Sequence, residues 1–416
     1  MPWTTESRGR GALGRCQSEL TDCMKLSNAT DTAIEYKETG SSIFILSADR
    51  REKLINLASD LIRLPSENPP GREALVEQYL IQYCEKSNLL VERIPVTSNR
   101  ANLIVTLPGA KEDDPLAFTG HMDVVPVSRD ERLRWETDPY DPVVRDDRLI
   151  GRGSADMKGG LACVLFAMSE YARASILPSR TVHLLVTCDE EDAMRGSRAL
   201  LEHPLMSKLS DLVVCEPTGM TLCRSSRGRT FGELVIRGKT AHGSRPGVGV
   251  NTIDIAADII SSLRTLNADV SPPTSFWQPL SIHACVEPDI IPDVCRLRLD
   301  CRVMPTSSCD YEIARLKHML DAVERAHHVK TEFSVEDKRE PWTTASNHRL
   351  VLRIHSLGDF EETTFSGSTD ANVLIEAGLT PVIIGPGDLS DVHHENESVS
   401  LKDLERAFSL YKALMQ

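Results

Sequence analysis

The stretch GRGSADMKGG (151–160) closes a glycine-rich turn on Asp156, a fixed negative charge. A dinucleotide loop would need Gly-x-Gly-x-x-Gly, with an uncharged helix start to receive the pyrophosphate. A P-loop would need a Gly-Lys-Ser/Thr frame that Lys158 lacks. An acid aimed out of such a turn suits a cation instead, and four other clusters offer it companions. TGHMDVVP (119–126) supplies His121 and Asp123, two residues apart and so on one side of an extended segment. TCDEED (187–192) supplies Asp189, Glu190, Glu191 and Asp192, VCEPT (214–218) supplies Glu216, and SDVHHENE (390–397) supplies His393 and His394. A lone strand-end histidine is most simply structural, and a lone acidic turn is most simply solvated surface. Carboxylate and imidazole gathered from several clusters, without thiolate, suit zinc or a similar divalent ion. No Gly-x-Ser-x-Gly elbow is present, so a serine-hydrolase route lacks its signature.

These clusters need elements to bring them together. Short apolar runs at 102–107, 115–120, 181–188, 211–216 and 381–385 read as buried strands, and 158–174 reads as a helix among them. Such alternation predicts an α/β fold with a mostly parallel sheet, whose ligand sites lie at the carboxyl ends of its strands. The first helix begins near Ser47, with Leu54, Leu57, Leu61 and Ile62 at helical spacing, and PSENPPG (65–71) stops it. A final helix carries Leu401, Leu404, Phe408, Tyr411 and Met415 as one apolar stripe, which is core. Between these parts the order changes to strand 229–239, helix 251–266, strands 279–286 and 294–303, helix 310–327 and strand 330–336. That βαββαβ order is a ferredoxin-like unit, and alternation of Arg296, Arg298 and Asp300 with Leu297 and Leu299 gives its sheet one wet face. The expected organisation is a flexible extension over 1–46, a main domain over 47–221 and 339–416, and an insert over 222–338.

Bulk properties narrow the function. With 416 residues, 41% hydrophobic and 26% charged, the chain can build two ordinary cores. A formal charge of −14 disfavours a nucleic-acid partner, because neutralising phosphates takes clustered Lys and Arg. No apolar run approaches the roughly 20 residues that span a bilayer. Eleven cysteines form no Cys-x-x-Cys pair, and Cys163, Cys188, Cys215 and Cys295 lie in apolar runs as buried thiols. A reducing cytoplasm fits that pattern.

GHMDVVP, GRGSADMKGG, DEE (189–191), CEPT and GPG (385–387), in this order, resemble the M20 metallopeptidases, as does GKTAHGSRPGVGVNTI (238–253). That family includes acetylornithine deacetylase and succinyl-diaminopimelate desuccinylase, and the likeness runs from about residue 50 to 416. It implies a hydrolase that cleaves the amide bond of an N-acylated amino acid or small peptide-like substrate; a dipeptidase or carboxypeptidase is the alternative. It implies two divalent ions per chain, zinc by default, with cobalt or manganese fitting the same ligands. Asp156 would bridge them, His121 and Glu216 would complete one metal, and Glu191 and His393 the other. His393 is preferred to His394 because the closing pattern His-x-x-Asn/Asp-Glu is met by His393, Asn396 and Glu397. Asp123 would accept the other ring N–H of His121. Glu190 would take a proton from the water bridging the metals and return it to the leaving amine. The insert would be a lid and dimerisation domain of a homodimer, sending His242 across to stabilise the oxyanion in the partner's site. Arg302 would grip a substrate carboxylate, and Gly367 would let substrate approach the metals, while Asp370 in the same turn is structural. Asp289 stands where relatives carry Asn, which puts that substrate contact in question.

Overall fold

The computed structural model describes residues 46–268, 275–284 and 289–416. The extension expected over 1–46 lies, up to residue 45, outside the described residues, as does the end of the strand expected over 279–286.

A nine-stranded sheet organises the larger part. Its centre is four parallel strands, Val182–Thr187, Leu116–His121, Asp211–Val214 and Thr380–Ile383. Leu116–His121 is buried along its whole length, as a strand flanked on both sides and both faces must be. Ala101–Leu107 and Leu90–Pro95 extend one side antiparallel. Parallel strands end at one edge. The chain therefore leaves the sheet at His121, Thr187 and Val214 on the same side of the molecule, although these positions are far apart in sequence.

The helix Lys158–Ala174 follows the Asp156 turn and is buried over almost all its length. It packs against the helix Leu401–Leu414, with the rings of Phe166 and Phe408 5.2 Å apart. Two glycines let its first turn approach the sheet. A Cβ on Gly160 would stand 2.3 Å from the carbonyl oxygen of Cys215, and one on Gly159 2.3 Å from that of Ser154. Cys215 directly precedes Glu216, so this contact sets where that carboxylate emerges. Gly160→Ala is expected to cost about 1–3 kcal/mol, the usual range for overpacking a filled core. Thermal unfolding would show the loss, and a variant as stable as the wild type would contradict it.

The smaller sheet runs, in spatial order, Phe276–Ala284, Val294–Val303, Gly228–Arg237 and Lys330–Arg339, all antiparallel. Helices Thr252–Ala268 and Cys309–His327 cover one face, where Leu234, Ile236, Leu297, Leu299, Ile255, Ile259, Leu316 and Leu320 form a separate core. Chain order is βαββαβ, with a two-residue pairing of Ala241–His242 against Ile290–Ile291 beside it. One boundary differs from the sequence reading. Leu222–Ser226 belongs to the large sheet, pairing with Glu362–Phe365 and Trp342–Thr343. Cys223 packs there with Trp342 and Phe365. A five-residue strand with mixed polarity carries no sign of which sheet will take it.

Candidate active site

The turn after Val182–Thr187 carries the acidic run and is tied down from several directions. Asp189 takes a left-handed backbone, φ 69°, which a short polar side chain tolerates. Its Oδ1 accepts from Nη1 of Arg100 at 2.7 Å and from Nδ2 of Asn68 at 3.1 Å, and its Oδ2 accepts from the Arg195 N–H at 3.1 Å. Arg100 also pairs with buried Glu73. Asp123 supplies the rest. Its Oδ1 accepts from the Glu190 N–H at 3.3 Å, and its Oδ2 from the Glu191 N–H at 3.1 Å and Asn68 Nδ2 at 2.8 Å.

That arrangement corrects the role expected for Asp123. The Nδ1 of His121 lies 2.9 Å from the backbone carbonyl oxygen of Asp123 and 3.8 Å from its carboxylate. The carbonyl receives the ring proton, and the carboxylate is committed to the two glutamate N–H groups. Asp123→Ala would strand those two N–H groups without an acceptor and leave the Asn68 amide only its bond to Asp189. At about 1–3 kcal/mol for each stranded group, the variant is expected to lose both thermal stability and turnover. Loss of turnover with an unchanged melting temperature would contradict this reading.

The glycine turn is organised by a residue far along the chain. Glu397 is fully buried, and its Oε1 accepts from the N–H groups of Gly153 at 3.0 Å, Ala155 at 3.0 Å and Asp156 at 3.1 Å. Its Oε2 accepts from Nη1 of Arg152 at 2.8 Å. The loop thus cradles an anion after all, and the anion is the protein's own carboxylate. Three convergent N–H groups were the signal for this, and the glycines that permit them were visible in the sequence.

At the sheet edge two groups of donor atoms meet on Asp156. Its Oδ1 is 3.0 Å from Nε2 of His121, which lies 3.5 Å from Oε1 of Glu216. Its Oδ2 is 3.1 Å from Nε2 of His393, which lies 3.2 Å from the Glu191 carboxylate. Within each group the ligand atoms lie within 4.8 Å of one another. Glu190 stands outside both, with Oε2 4.0 Å from His121 Nε2. His394 turns away, its ring nitrogens 2.7 Å from the Ser390 carbonyl and 3.0 Å from that of Glu395.

Electrostatics shows what the cluster lacks. Burial pushes Glu216 up to about 8, with Asp156 adding repulsion. Burial likewise raises Glu190 well above the usual carboxylate range, and raises Glu191 with help from Asp156. Burial would raise Asp156 too, but the imidazoles of His121 and His393 outweigh it and hold it low. Burial would depress His393, but Asp156 and Glu191 outweigh it and lift the imidazole to about 11. Four carboxylates exceed even two imidazolium charges. Carboxylate and imidazole donors in two triads sharing one acid, the first fully buried and the second opening to solvent at His393, fit a pair of divalent cations.

The remaining candidates lie apart from these triads. His242 is exposed, and its Nδ1 accepts from the Ser244 N–H at 3.2 Å, which leaves the proton on Nε2. Asp289, φ 65°, accepts the Gly243 N–H on its carbonyl at 2.6 Å. Arg302 donates from Nε to Asp300 at 3.2 Å on the wet face of the smaller sheet. Gly367 accepts from Ser226 Oγ at 3.0 Å, and Asp370 is buried against Thr187 and Ser197.

The sequence profile of peptidase family M20/M25/M40 matches residues 117–416, which takes in every one of the clustered ligands. The chain belongs to this family. As an M20 hydrolase it acts on amide bonds. It is 25% identical over 389 residues to a probable succinyl-diaminopimelate desuccinylase of Staphylococcus aureus MRSA252, covering 84% of this chain and 93% of the relative. It is 27% identical over 352 residues to an acetylornithine deacetylase of Aliivibrio salmonicida LFI1238, covering 82% and 91%. The crystal structure of a tripeptidase from Staphylococcus aureus superposes with a TM-score of 0.74 at 21% identity, covering 88% of this chain and 98% of that one. That likeness shows that the M20 hydrolase shares the tripeptidase's fold.

Proposed function

We propose that the chain is a two-metal amide hydrolase that releases an acyl group or amino acid from an N-acylated amino acid or short peptide. The observation that carries this reading is Asp156, whose two carboxylate oxygens each face a different imidazole, 3.0 and 3.1 Å away. His121, Asp156 and Glu216 would hold one ion, and Asp156, Glu191 and His393 the other, with zinc as the first choice of metal. Two such ions would polarise the amide carbonyl and lower the pKa of water at the site.

Glu190 would do the proton work. It is buried beside His121 and outside both triads, so its carboxylate is free to take a proton from the attacking water and pass it to the leaving nitrogen. Glu190 and Glu191 can divide base and ligand roles because they are neighbours whose N–H groups are held by opposite oxygens of Asp123. His242, with its proton on Nε2, is suited to donate to a developing oxyanion. The smaller domain would act as lid and dimerisation domain of a homodimer, bringing His242 of one subunit to the site of the other. Mixing His242→Ala and Glu190→Gln subunits tests that crossing. One site of a mixed dimer then holds both residues and should recover activity; no recovery in demonstrated heterodimers would place His242 outside catalysis in trans.

The deacetylase and desuccinylase relatives favour an N-acyl amino acid, and the tripeptidase fold match supports a peptide as the second reading. Metal-reconstituted protein assayed on N-acetylornithine, N-succinyl-diaminopimelate and a set of di- and tripeptides separates them. Turnover of an N-acyl amino acid above every peptide supports the first reading, and the reverse order overturns it. Among the described residues no helix is long and apolar enough to cross a membrane. The eight cysteines among the described residues are all buried and free, which suits a reducing cytoplasm.

A further inference from the structure

We propose that Asn372 is the positioning residue that sets the angle between the smaller domain and the metal-bearing sheet, by holding both chain crossings between them with one side-chain amide. The kinetic consequence rests on the amide-hydrolase reading above; the mechanical one does not.

The chain passes between the two sheets twice, and the passages lie side by side. Leu222–Ser226 of the large sheet leads through Arg227 into Gly228–Arg237 of the small one. Lys330–Arg339 of the small sheet returns through Glu340 and Pro341 to Trp342–Thr343 of the large one. Ser226 stands opposite Trp342 at one end of the crossing, and Arg229 opposite Arg339 at the other. The passages are packed close. A Cβ on Gly228 would stand 2.5 Å from the carbonyl oxygen of Arg339 and 2.6 Å from the nitrogen of Pro341. Pro341 has no N–H to give, so the ladder breaks here and a donor must come from elsewhere.

Asn372 supplies it. The residue is 1% exposed and lies in the short helix Ala371–Leu374. Its Nδ2 donates to the carbonyl oxygens of Arg227 at 3.0 Å and Glu340 at 2.8 Å, one in each passage. Its Oδ1 accepts from the Thr369 N–H at 2.9 Å, which together with the two carbonyls fixes the way the amide faces. Among the described residues, the only other side-chain donor to either carbonyl is Ser226 Oγ, 3.2 Å from that of Arg227.

The turn that carries Asn372 is tied to the catalytic sheet as well. The carbonyls of Phe365 and Gly367 accept from the Arg227 N–H at 3.1 Å and from Ser226 Oγ at 3.0 Å. Buried Asp370 accepts from the hydroxyls of Thr187 and Ser197. Thr187 ends the strand that leads into Glu190 and Glu191. One short segment, 365–372, therefore touches both passages and the strand before the acidic run. Arg198 with Asp337, and Arg339 Nη2 with the Asp192 carbonyl at 2.6 Å, also join the domains, but each reaches only the returning strand.

The test measures the distance between the domains. Spin labels on genetically encoded ketone side chains at exposed Glu85 and Lys317 avoid the native cysteines, and excess unlabelled chain keeps each labelled pair within one subunit. Asn372→Asp keeps the shape and the acceptor for Thr369 but turns a carboxylate oxygen towards two carbonyls. Pulsed dipolar spectroscopy should give a broader distance distribution than the wild type. In the same variant kcat/KM should fall about 10–100-fold, the effect of misplacing groups by about 1 Å, with metal content unchanged. Asn372→Ala leaves a small polar space for water; it should behave alike, and it decides the matter if the Asp variant fails to fold. A lower melting temperature with an unchanged distribution would make Asn372 merely structural and overturn the proposal, as would a broader distribution with unchanged kcat/KM. If the wild type hydrolyses none of the substrates above, the hydrolase reading fails by itself, while the distance distribution still decides this one.

Discussion

Glu190→Gln is expected to lower kcat by about 10²–10⁴-fold or more, the usual effect of losing a general base, while metal content stays near that of the wild type. The amide keeps the side chain's size and can still hydrogen-bond, but it cannot take a proton from water. Geometry supports the separation of effects, since Glu190 stands outside both donor triads and its N–H bond to Asp123 does not depend on the side chain. Metal analysis beside steady-state kinetics checks it. If Glu190→Gln emptied a metal site and Glu191→Gln did not, the two glutamates would have to exchange roles.

Asp156→Ala is expected to act on both metals at once. Asp156 is the only residue common to the two triads, and its oxygens face His121 and His393 separately. Removing it would take a ligand from each proposed ion and leave two imidazoles without the carboxylate between them. Metal content should fall well below that of a variant such as His393→Ala, which touches one triad, and turnover should vanish with it. Elemental analysis of the two variants decides the point, and equal metal loss in both would mean that Asp156 does not bridge.

The parallel sheet and the position of the acidic clusters could be read from the chain because both are local. Apolar runs of strand length announce themselves, and His121, the 188–192 turn and Glu216 each follow one within a few residues. The parallel centre then brings the ends together. Long-range hydrogen bonding was not legible. Nothing in the spacing of Glu397 says that its carboxylate takes three N–H groups about 240 residues earlier, and nothing near Arg100, Glu73 or Asn68 says that they brace Asp189. The carboxylate role of Asp123 toward His121 is what the family resemblance implies, and the two-residue spacing places both on one side of an extended segment. The chain turns after His121, however, and the carbonyl reaches the ring first. The neighbours of Arg302 were invisible for a related reason. Strand register, which places Arg302, Arg229 and Arg339 side by side, is a property of pairing between distant segments.

The measurement that bears most directly on the two-metal site is anomalous diffraction from crystals of the metal-loaded protein. The account predicts two divalent ions with Asp156 between them. His121 and Glu216 should ligate one, and Glu191 and His393 the other, while His394 still faces the Ser390 carbonyl. A single ion, a pair not bridged by Asp156, or His394 in place of His393 as a ligand would contradict it.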